Sequence, residues 1–430
     1  MYNAISSAGM IVLIGLCWLF STNRRRINWK LVGWGTGLQL LFAIFVFRVP
    51  AGRRLFLLLN DLVVKVVEAS AAGAEFLFGP LALPPGAKGS VGFILAFQAL
   101  PTIIFFSALI SLLYFFKIMP LVIRGFASLF SETMKLSGAE SVSVASNIFV
   151  GIESAFTIRP HIGTMTRSEL CTILTTGMAT VASNVLALYV FTLREQFPTI
   201  AGHLVSASIL SAPAAVVMSK ILLPEEQIPE TYGKSIKPHY ERESNFFEAI
   251  INGANAGAKV IVGVAALLVA VLGLVELFDM IIGVLGGKLN ALLQMKFDWS
   301  LKGILGVLFY PFSLIMGVSP DDAGIVARIV GERTVATEVA GYKDLATAIS
   351  DGTIRHPRSI AITTYALCGF AHLASMAIFV GGLSALAPKK TKVLSQTGFR
   401  ALCAATLACL MTACTAGIFF TDSSILLGGK

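Results

Sequence analysis

The sequence predicts an all-α polytopic membrane protein with eight transmembrane helices, two re-entrant hairpins of opposite orientation, and interfacial helices. Three observations predict this fold class. The 430 residues are 56% hydrophobic and only 13% charged, whereas soluble domains carry about 25% charged residues. Eight apolar stretches are long enough to cross a bilayer. Two further stretches hold charged residues that a fully lipid-exposed span would exclude.

The eight predicted spans follow from the length of the apolar stretches, since a spanning helix needs about 20 mainly apolar residues. They are residues 4–21, 30–48, 92–116, 168–192, 198–221, 257–282, 358–382 and 398–420. Arg24–Arg26 follow the first stretch, whereas a signal peptide has its basic residues before the apolar run. We therefore expect the first stretch to be a transmembrane helix.

Two other apolar stretches are too polar to face lipid along a full span. Residues 139–162 contain Asn147, Glu153 and Arg159. Residues 319–345 contain five acidic residues and two arginines. Charged groups at membrane depth have to be buried in protein or line a cavity. We therefore expect re-entrant hairpins, each of which enters and leaves the membrane on one side.

The distribution of basic residues predicts the orientation, because Lys and Arg accumulate in cytoplasmic loops. They follow alternate spans, at residues 24–30, 117–135, 220–242 and 389–400. Both termini are therefore predicted to lie outside the cytoplasm, with the first hairpin entering from the cytoplasm and the second from outside. Arg48, Arg53 and Arg54 fall on the other side and count against this orientation. The net charge of +9 is attributed to these loops rather than to nucleic-acid binding.

The remaining segments are predicted to be interfacial helices and one linker. Residues 53–72 and 120–135 mix charged and apolar residues at helical spacing, which is typical of helices at the membrane surface. Residues 223–245 are polar, contain three prolines and are expected to form a cytoplasmic loop. Gly253 and Gly257 form a GxxxG motif, which favours tight helix packing.

One seven-residue pattern occurs twice. GMATVAS (177–183) and GFAHLAS (369–375) both read G-x-A-x-x-A-S inside a predicted span. Glu153 comes 24 residues before the first copy, and Glu338 comes 31 residues before the second. Small and hydroxyl-bearing residues are typical of helix breaks at membrane depth, but also of packed membrane helices. Together with the two acids, they predict two halves of inverted topology around a central site, as in many secondary transporters.

At these residues the chain resembles the concentrative nucleoside transporter family over nearly its whole length. The matching blocks are NIFVG (147–151), IRP (158–160), MTRSEL (165–170), GMATVAS with Val185, LFYPFSLIMGV (308–318), GERTVATEVAGY (331–342), YALCGFAHLAS (365–375) and GGLSALAP (381–388). The resemblance implies a homotrimer in a bacterial inner membrane. It also implies nucleoside uptake driven by a sodium or proton gradient, with an inverted-repeat transport domain that moves as an elevator against a scaffold.

On this plan the chain divides into five units. They are the N-terminal scaffold and interfacial helices (1–118), the first transport repeat (119–222), the linker with a scaffold helix (223–300), the second transport repeat (301–385) and a C-terminal transmembrane helix (386–430).

The resemblance also implies the site residues, position by position. In the family the first hairpin tip reads the nucleobase, and a Glu and a Ser of the second half contact the ribose. The implied substrate-binding residues are Gly151, Ile152, Glu153, Val185, Thr337, Glu338, Phe370, His372 and Ser375. The implied sodium ligands are the Asn147 side chain, the Val150 carbonyl, the Thr180 hydroxyl and the Val181 carbonyl.

Three positions depart from the family pattern. The family tip G-Q-T-E is one residue shorter here, so that the Gln is missing and Ile152 takes the place of the Thr. Thr337 and His372 stand where the family has Asn. Because lost hydrogen-bonding groups weaken discrimination, we expect a site that is less selective for the base. The histidine at position 372 leaves proton coupling open.

We therefore predict secondary-active uptake of nucleosides, with no cofactor beyond the coupling ion. Two alternatives remain: a transporter of a related hydroxyl-rich solute, and a membrane sensor that binds nucleosides without transporting them. No nucleophile–base pair or metal-ligand cluster is visible, so we do not expect an enzyme. A structural reading of the two acids also remains open, with Glu153 paired to Arg159 and Glu338 paired to Arg333.

Overall fold

A computed structural model describes residues 1–84, 86–240 and 243–421, and the regular structure of these residues is entirely helical. The first ten α-helices are α1 (Tyr2–Leu19), α2 (Trp29–Phe47), α3 (Pro50–Phe78), α4 (Leu95–Gln98), α5 (Thr102–Phe115), α6 (Ile118–Met134), α7 (Gly138–Asn147), α8 (Arg167–Ala179), α9 (Ser183–Leu193) and α10 (Ile200–Leu222). The others are α11 (Phe246–Leu293), α12 (Leu301–Ile315), α13 (Pro320–Arg333), α14 (Glu338–Ser350), α15 (Pro357–Leu367), α16 (Leu373–Leu386) and α17 (Thr391–Phe419). Residues 241–242 of the linker and 422–430 of the C-terminal unit lie outside the described residues.

Among the described residues, seven helical segments are long and apolar enough to cross a membrane. They are Tyr2–Leu19, Trp29–Phe47, Leu95–Phe115, Arg167–Leu193, Ile200–Leu222, Phe246–Leu293 and Pro388–Phe419. These segments overlap seven of the eight predicted spans. The remaining one, 358–382, is formed by α15 and α16, which are separated by a break and are each too short to span alone. The hydropathy pattern did not single out α12, a further short apolar helix.

The core lies around α8, α9, α10 and α17. In the most apolar window of Ile200–Leu222, 89% of the residues are buried, and the same holds for Arg167–Leu193. The corresponding value for Phe246–Leu293 is 0%. The most hydrophobic helix of the chain therefore lies on its outside, where lipid or another subunit can cover it.

The two predicted hairpins differ in regularity. In hairpin 2, α13 and α14 are joined by a tip at residues 334–337. In hairpin 1, α7 is followed by a tip at 148–151, and the second limb begins as the 3-10 helix Ile152–Ile158 rather than an α-helix. Their entry into the membrane from opposite sides stays a prediction.

A lysine joins each hairpin to its neighbours. The Lys220 Nζ atom at the end of α10 lies 2.7 Å from Glu140 on α7 and 3.4 Å from Glu225 in the linker. The Lys302 Nζ atom on α12 lies 2.8 Å from Glu332 on α13 and also pairs with Asp344 on α14. Because Lys220 and Glu140 are both buried, removing either partner would leave an uncompensated charge inside the protein.

Helix α11 is much longer than the predicted span of 257–282. Its 48 residues correspond to about 72 Å at 1.5 Å per residue, against a hydrocarbon core about 30 Å thick. The Asn245 side chain caps its start by accepting from the N–H of Glu248, and Gln294 ends it with φ of 50°. The helix therefore has to tilt steeply or extend well beyond the hydrocarbon core.

The GxxxG motif packs tightly, as predicted, and its partner is α5. A Cβ on Gly253 would lie 2.7 Å from the Ala108 Cα, and a Cβ on Gly257 would lie 2.7 Å from the Ile104 Cα. Both glycines therefore permit a close approach of the two backbones.

We expect Gly257→Ala to destabilise the protein by roughly 1–3 kcal/mol, because the added methyl group overpacks the α5–α11 contact. The melting temperature of the detergent-solubilised protein measures this loss. Gly273→Ala on the same helix is the matched control, since nothing lies within 4 Å of a Cβ at that position. Equal melting temperatures for the two variants would contradict this packing.

Candidate functional site

Both copies of the repeated pattern coincide with a helix break, as predicted. In the first, α8 ends at Ala179 and α9 begins at Ser183. In the second, α15 ends at Leu367 and α16 begins at Leu373. Each break exposes backbone groups that a continuous helix would satisfy internally.

The two breaks contact each other directly through the first glycine of GFAHLAS. Gly369 has φ of 101°, and a Cβ there would lie 2.6 Å from the Ala179 carbonyl oxygen. The first glycine of GMATVAS has a related role, since a Cβ on Gly177 would lie 2.2 Å from the Phe379 ring on α16. Both glycines are therefore required where the two interrupted helices cross.

Each break is also hydrogen-bonded to a hairpin tip. Ser183, the first residue of α9, donates its N–H to the Phe149 carbonyl at 2.9 Å. Leu373, the first residue of α16, donates its N–H to the Thr334 carbonyl at 3.2 Å. The same local connection thus occurs in both halves and places the two hairpin tips beside the two breaks.

Ser208 on α10 adds a second connection in the first half. Its hydroxyl donates to the Ile148 carbonyl at 2.8 Å and accepts from the Val181 N–H at 3.4 Å. The sequence did not single out Ser208, because a serine inside an apolar helix gives no specific signal. It holds the tip of hairpin 1 against the first break.

A cavity of about 490 Å³ lies between the hairpin tips and the breaks. All nine residues of the implied substrate set line it: Gly151, Ile152, Glu153, Val185, Thr337, Glu338, Phe370, His372 and Ser375. One wall comes from α11, which the sequence did not associate with the site. That wall consists of Val260, Gly263, Val264, Leu267 and Leu268.

One end of the cavity is polar and is centred on Glu338. Its Oε1 atom accepts a hydrogen bond of 2.6 Å from the Tyr189 hydroxyl. Its Oε2 atom lies 2.7 Å from Nε2 of His372 but receives no aligned hydrogen bond from the described residues. Tyr189 was missed by the sequence analysis, although it lies one helical turn after Val185 on the same face of α9.

His372 is held by the helix that it begins. Its Nδ1 atom accepts from the Ser375 N–H at 3.3 Å and caps α16, and its Nε2 atom lies 2.8 Å from the Ser375 hydroxyl. Because Nδ1 accepts, the proton of the neutral ring is on Nε2. Thr337 likewise caps α14 by accepting from the Ala340 N–H. Both residues that depart from the family Asn therefore act as N-caps.

The tip of hairpin 1 also lines the cavity. Ile152 packs against Gly382, where an added Cβ would lie 3.0 Å from the isoleucine side chain. Glu153 lines the cavity as well and is in none of the ion pairs between described side chains. Glu338 contacts Tyr189 and His372 and does not pair with Arg333. The buried Arg333 guanidinium has no aligned hydrogen bond within the described part of the chain.

The implied sodium ligands lie on hairpin 1 and at the first break. The Ser183–Phe149 hydrogen bond and the hydrogen bonds of Ser208 hold these two segments together. Asn147 is fully buried, and its Oδ1 atom accepts from the Ser154 hydroxyl at 2.8 Å. The Thr180 hydroxyl donates to the Thr176 carbonyl at 2.8 Å, which leaves its lone pairs available. The carbonyl oxygens of Val150 and Val181 accept no hydrogen bond from the described residues. Neutral oxygens at an unwound helix are typical ligands for a coupling cation.

Comparison with known proteins places the chain in a family. Residues 8–81 and 203–417 match the families described as "Na+ dependent nucleoside transporter" N-terminus and C-terminus, and residues 96–195 match "Nucleoside recognition". The nucleoside permease NupC of Helicobacter pylori is 37% identical over 423 residues, which are 97% of this chain and 98% of the permease. The chain belongs to the concentrative nucleoside transporter family. Its relatives are transporters, not enzymes, and with its several apolar helices this family member is a multi-pass membrane protein.

Larger relatives and solved structures agree with this assignment. Mouse solute carrier family 28 member 3 is 34% identical over 430 residues, and this chain spans 59% of its length. The structure of CNTnw in an inward-facing, substrate-bound state is 34% identical, covers 97% of this chain and 98% of its own, and gives a TM-score of 0.88. A variant of CNTnw in an outward-facing state gives a TM-score of 0.87.

We expect Gly369→Ala to destabilise the protein by several kcal/mol, because the new methyl group would collide with the Ala179 carbonyl and the positive φ disfavours any side chain. Gly381→Ala is the control, since a Cβ there has no neighbour within 4 Å. Thermal unfolding of the two purified variants, read from intrinsic fluorescence, tests the contact between the breaks. A Gly369→Ala protein as stable as its control would show that the breaks do not touch.

Proposed function

We propose that the chain carries nucleosides across the inner membrane of a bacterium by secondary-active, cation-coupled uptake. The observation that carries this proposal is the polarity of the cavity. Glu338, Thr337, His372 and Ser375 form a polar cluster in its lining, Glu153 adds a second acid, and most of the other lining side chains are apolar. A nucleoside has the same pattern of a hydroxyl-rich ribose, an apolar base face and a polar base edge.

The ribose binds at Glu338 in this proposal. A carboxylate accepts strongly from a ligand hydroxyl, and Glu338 lines the cavity. The Ser375 hydroxyl offers a second polar contact on the same side. The base then extends past Val185 and Phe370 towards Glu153, with the apolar wall of α11 excluding water. The cavity volume is within the range of about 300–1,000 Å³ that is usual for small-molecule sites.

Sodium is the coupling ion that the local chemistry favours. Val150 and Val181 offer unpaired carbonyl oxygens next to the Thr180 hydroxyl, which suits a hard cation. A proton is the alternative coupling ion, and uptake driven by a proton gradient without sodium would identify it. The ion site and the substrate site are coupled, because each of the segments 147–153 and 180–185 carries residues of both. Binding of the ion therefore orders residues that also bind the substrate.

The membrane architecture follows the same proposal. The chain crosses the membrane eight times, and hairpins 1 and 2 re-enter from opposite sides around the site. The two repeats, 119–222 and 301–385, form the transport domain of each protomer in a homotrimer. They move as an elevator against a scaffold that includes α11, whose apolar surface is exposed in the single chain.

We expect Glu338→Gln to abolish uptake of radiolabelled uridine and adenosine by proteoliposomes, because an amide offers the ribose a weaker acceptor in place of the charged one. Glu132→Gln, at an exposed position on α6, should transport normally. Unchanged uptake by Glu338→Gln would reject the ribose assignment. If the unmodified protein shows no gradient-stimulated uptake of any nucleoside, the proposed function itself is wrong, and tight binding without uptake would identify a sensor.

We expect Thr180→Val to raise the sodium concentration needed for half-maximal uptake about tenfold or more, because a lost ligand to a charged group costs about 1.5–3 kcal/mol and 1.4 kcal/mol is a factor of ten. The shape and volume of the side chain are nearly conserved. Thr192→Val on α9, outside both sites, is the control. The same sodium dependence in both variants, or full uptake driven by a proton gradient without sodium, would contradict the assigned ion site.

A further inference from the structure

Arg333 carries a positive charge into the interior of the protein. Its side chain is fully buried, and its three guanidinium nitrogens have no aligned hydrogen bond to a described residue. The ion pairs between described side chains do not include it. A buried cation without a paired acid is costly, so other groups of negative character have to face it.

Arg333 and Asn147 hold equivalent places in the two halves. Each is the last residue of the first limb of its hairpin, α13 or α7, and the hairpin tip follows directly. The Asn147 amide donates to the hydroxyl of Thr176, the residue before GMATVAS, at 3.3 Å. Arg333 is an electrostatic neighbour of Cys368, the residue before GFAHLAS. The side chain proposed to bind sodium in the first half therefore corresponds to one that is itself a cation in the second.

The ends of two interrupted helices converge near Arg333, since α8 ends at Ala179 and Cys368 is the C-cap of α15. The Cys409 thiol interacts with the Arg333 guanidinium. The same thiol donates to the Cys368 carbonyl at 2.7 Å and lies 3.9 Å from the Ala179 carbonyl. Helix C-termini carry partial negative charge, and interrupted helices of transporters coordinate cations there. The Arg333 guanidinium therefore lies where a cation is favoured.

We infer that Arg333 is a built-in cation, which takes in the second half the place that the coupling ion takes in the first. This inference rests on the proposed cation-coupled transport and deepens it, because it sets the number of coupling ions. With a fixed charge near the ends of α8 and α15, the site around Asn147 and Thr180 is left for a mobile cation. Each transport cycle therefore carries one cation with one nucleoside. Arg333 does not line the substrate cavity, so it is a positioning residue that acts through the helix ends.

The ratio of sodium to nucleoside tests the role of Arg333. Proteoliposomes that hold the full chain receive radiolabelled sodium and uridine together, and the entry of both is measured. For the unmodified protein and for Arg333→Lys, which keeps the charge, we expect about one sodium ion per uridine and a Hill coefficient for sodium of about one. Arg333→Asn supplies the side chain of the equivalent Asn147 and should raise the ratio towards about two, because a second sodium ion then replaces the lost charge.

Thermal unfolding in detergent gives a second readout that needs no transport. An ion that binds only the folded protein raises its melting temperature. Sodium should therefore raise the melting temperature of Arg333→Asn more steeply than that of the unmodified protein. Arg333→Gln, a larger neutral amide, serves the same comparison if Arg333→Asn does not fold. Arg328→Asn is the matched control, since Arg328 lies on the same helix but is exposed, and it should change neither readout.

The outcomes separate this inference from the proposed function. About two sodium ions per uridine in the unmodified protein would overturn the inference, whether or not the neutral variants fold. It is also wrong if the neutral variants keep both the ratio and the sodium-dependent melting of the unmodified protein, because Arg333 then only fills space. If the unmodified protein takes up no nucleoside, the proposed function fails, and the melting comparison still decides whether sodium can replace the charge of Arg333.

Discussion

The centre of this protein depends on one contact, the crossing of two helices at the points where both are interrupted. Gly369 lies against the Ala179 carbonyl so closely that no side chain fits between them. Two helices interrupted at one place leave several amide and carbonyl groups unpaired in the middle of an apolar bundle. The hairpin tips pair with some of those groups through Ser183 and Leu373. The hydrogen bonds that the backbone requires at the two breaks therefore position the tips and the acids near them.

The parts of this arrangement that local residues determine could be predicted from the sequence. Glycine and small residues in an apolar run marked both breaks, and Glu153 and Glu338 marked both tips, because charge at membrane depth requires a cavity. Contacts between distant elements gave no local signal. The α11 wall and Tyr189 are examples, since an apolar helix face and an aromatic residue are equally common in ordinary packing. The irregular second limb of hairpin 1 was also not visible in the hydropathy pattern.

The two departures at Thr337 and His372 share a structural constraint. Each residue is the N-cap of a short helix, and its side chain accepts a hydrogen bond from the backbone N–H three residues later. Asn, Thr and a histidine that accepts through Nδ1 can all do this, whereas an apolar residue cannot. The chemistry of the site can therefore vary at these positions only among side chains that still cap a helix. For His372 the cap also orients the ring, so that its Nε2 atom lies near the Ser375 hydroxyl and the Glu338 carboxylate.

The α11 wall differs in kind from the rest of the cavity. Its five lining residues, Val260 to Leu268, have no polar side-chain group, so a bound molecule has no side-chain hydrogen bond to α11. Every directional bond available to it comes from the hairpins and the interrupted helices. Van der Waals contact with a smooth apolar surface changes little when that surface shifts along its own axis. In the proposed elevator movement, sliding past α11 would therefore break no side-chain hydrogen bond between this helix and the bound molecule, whichever polar groups that molecule carries.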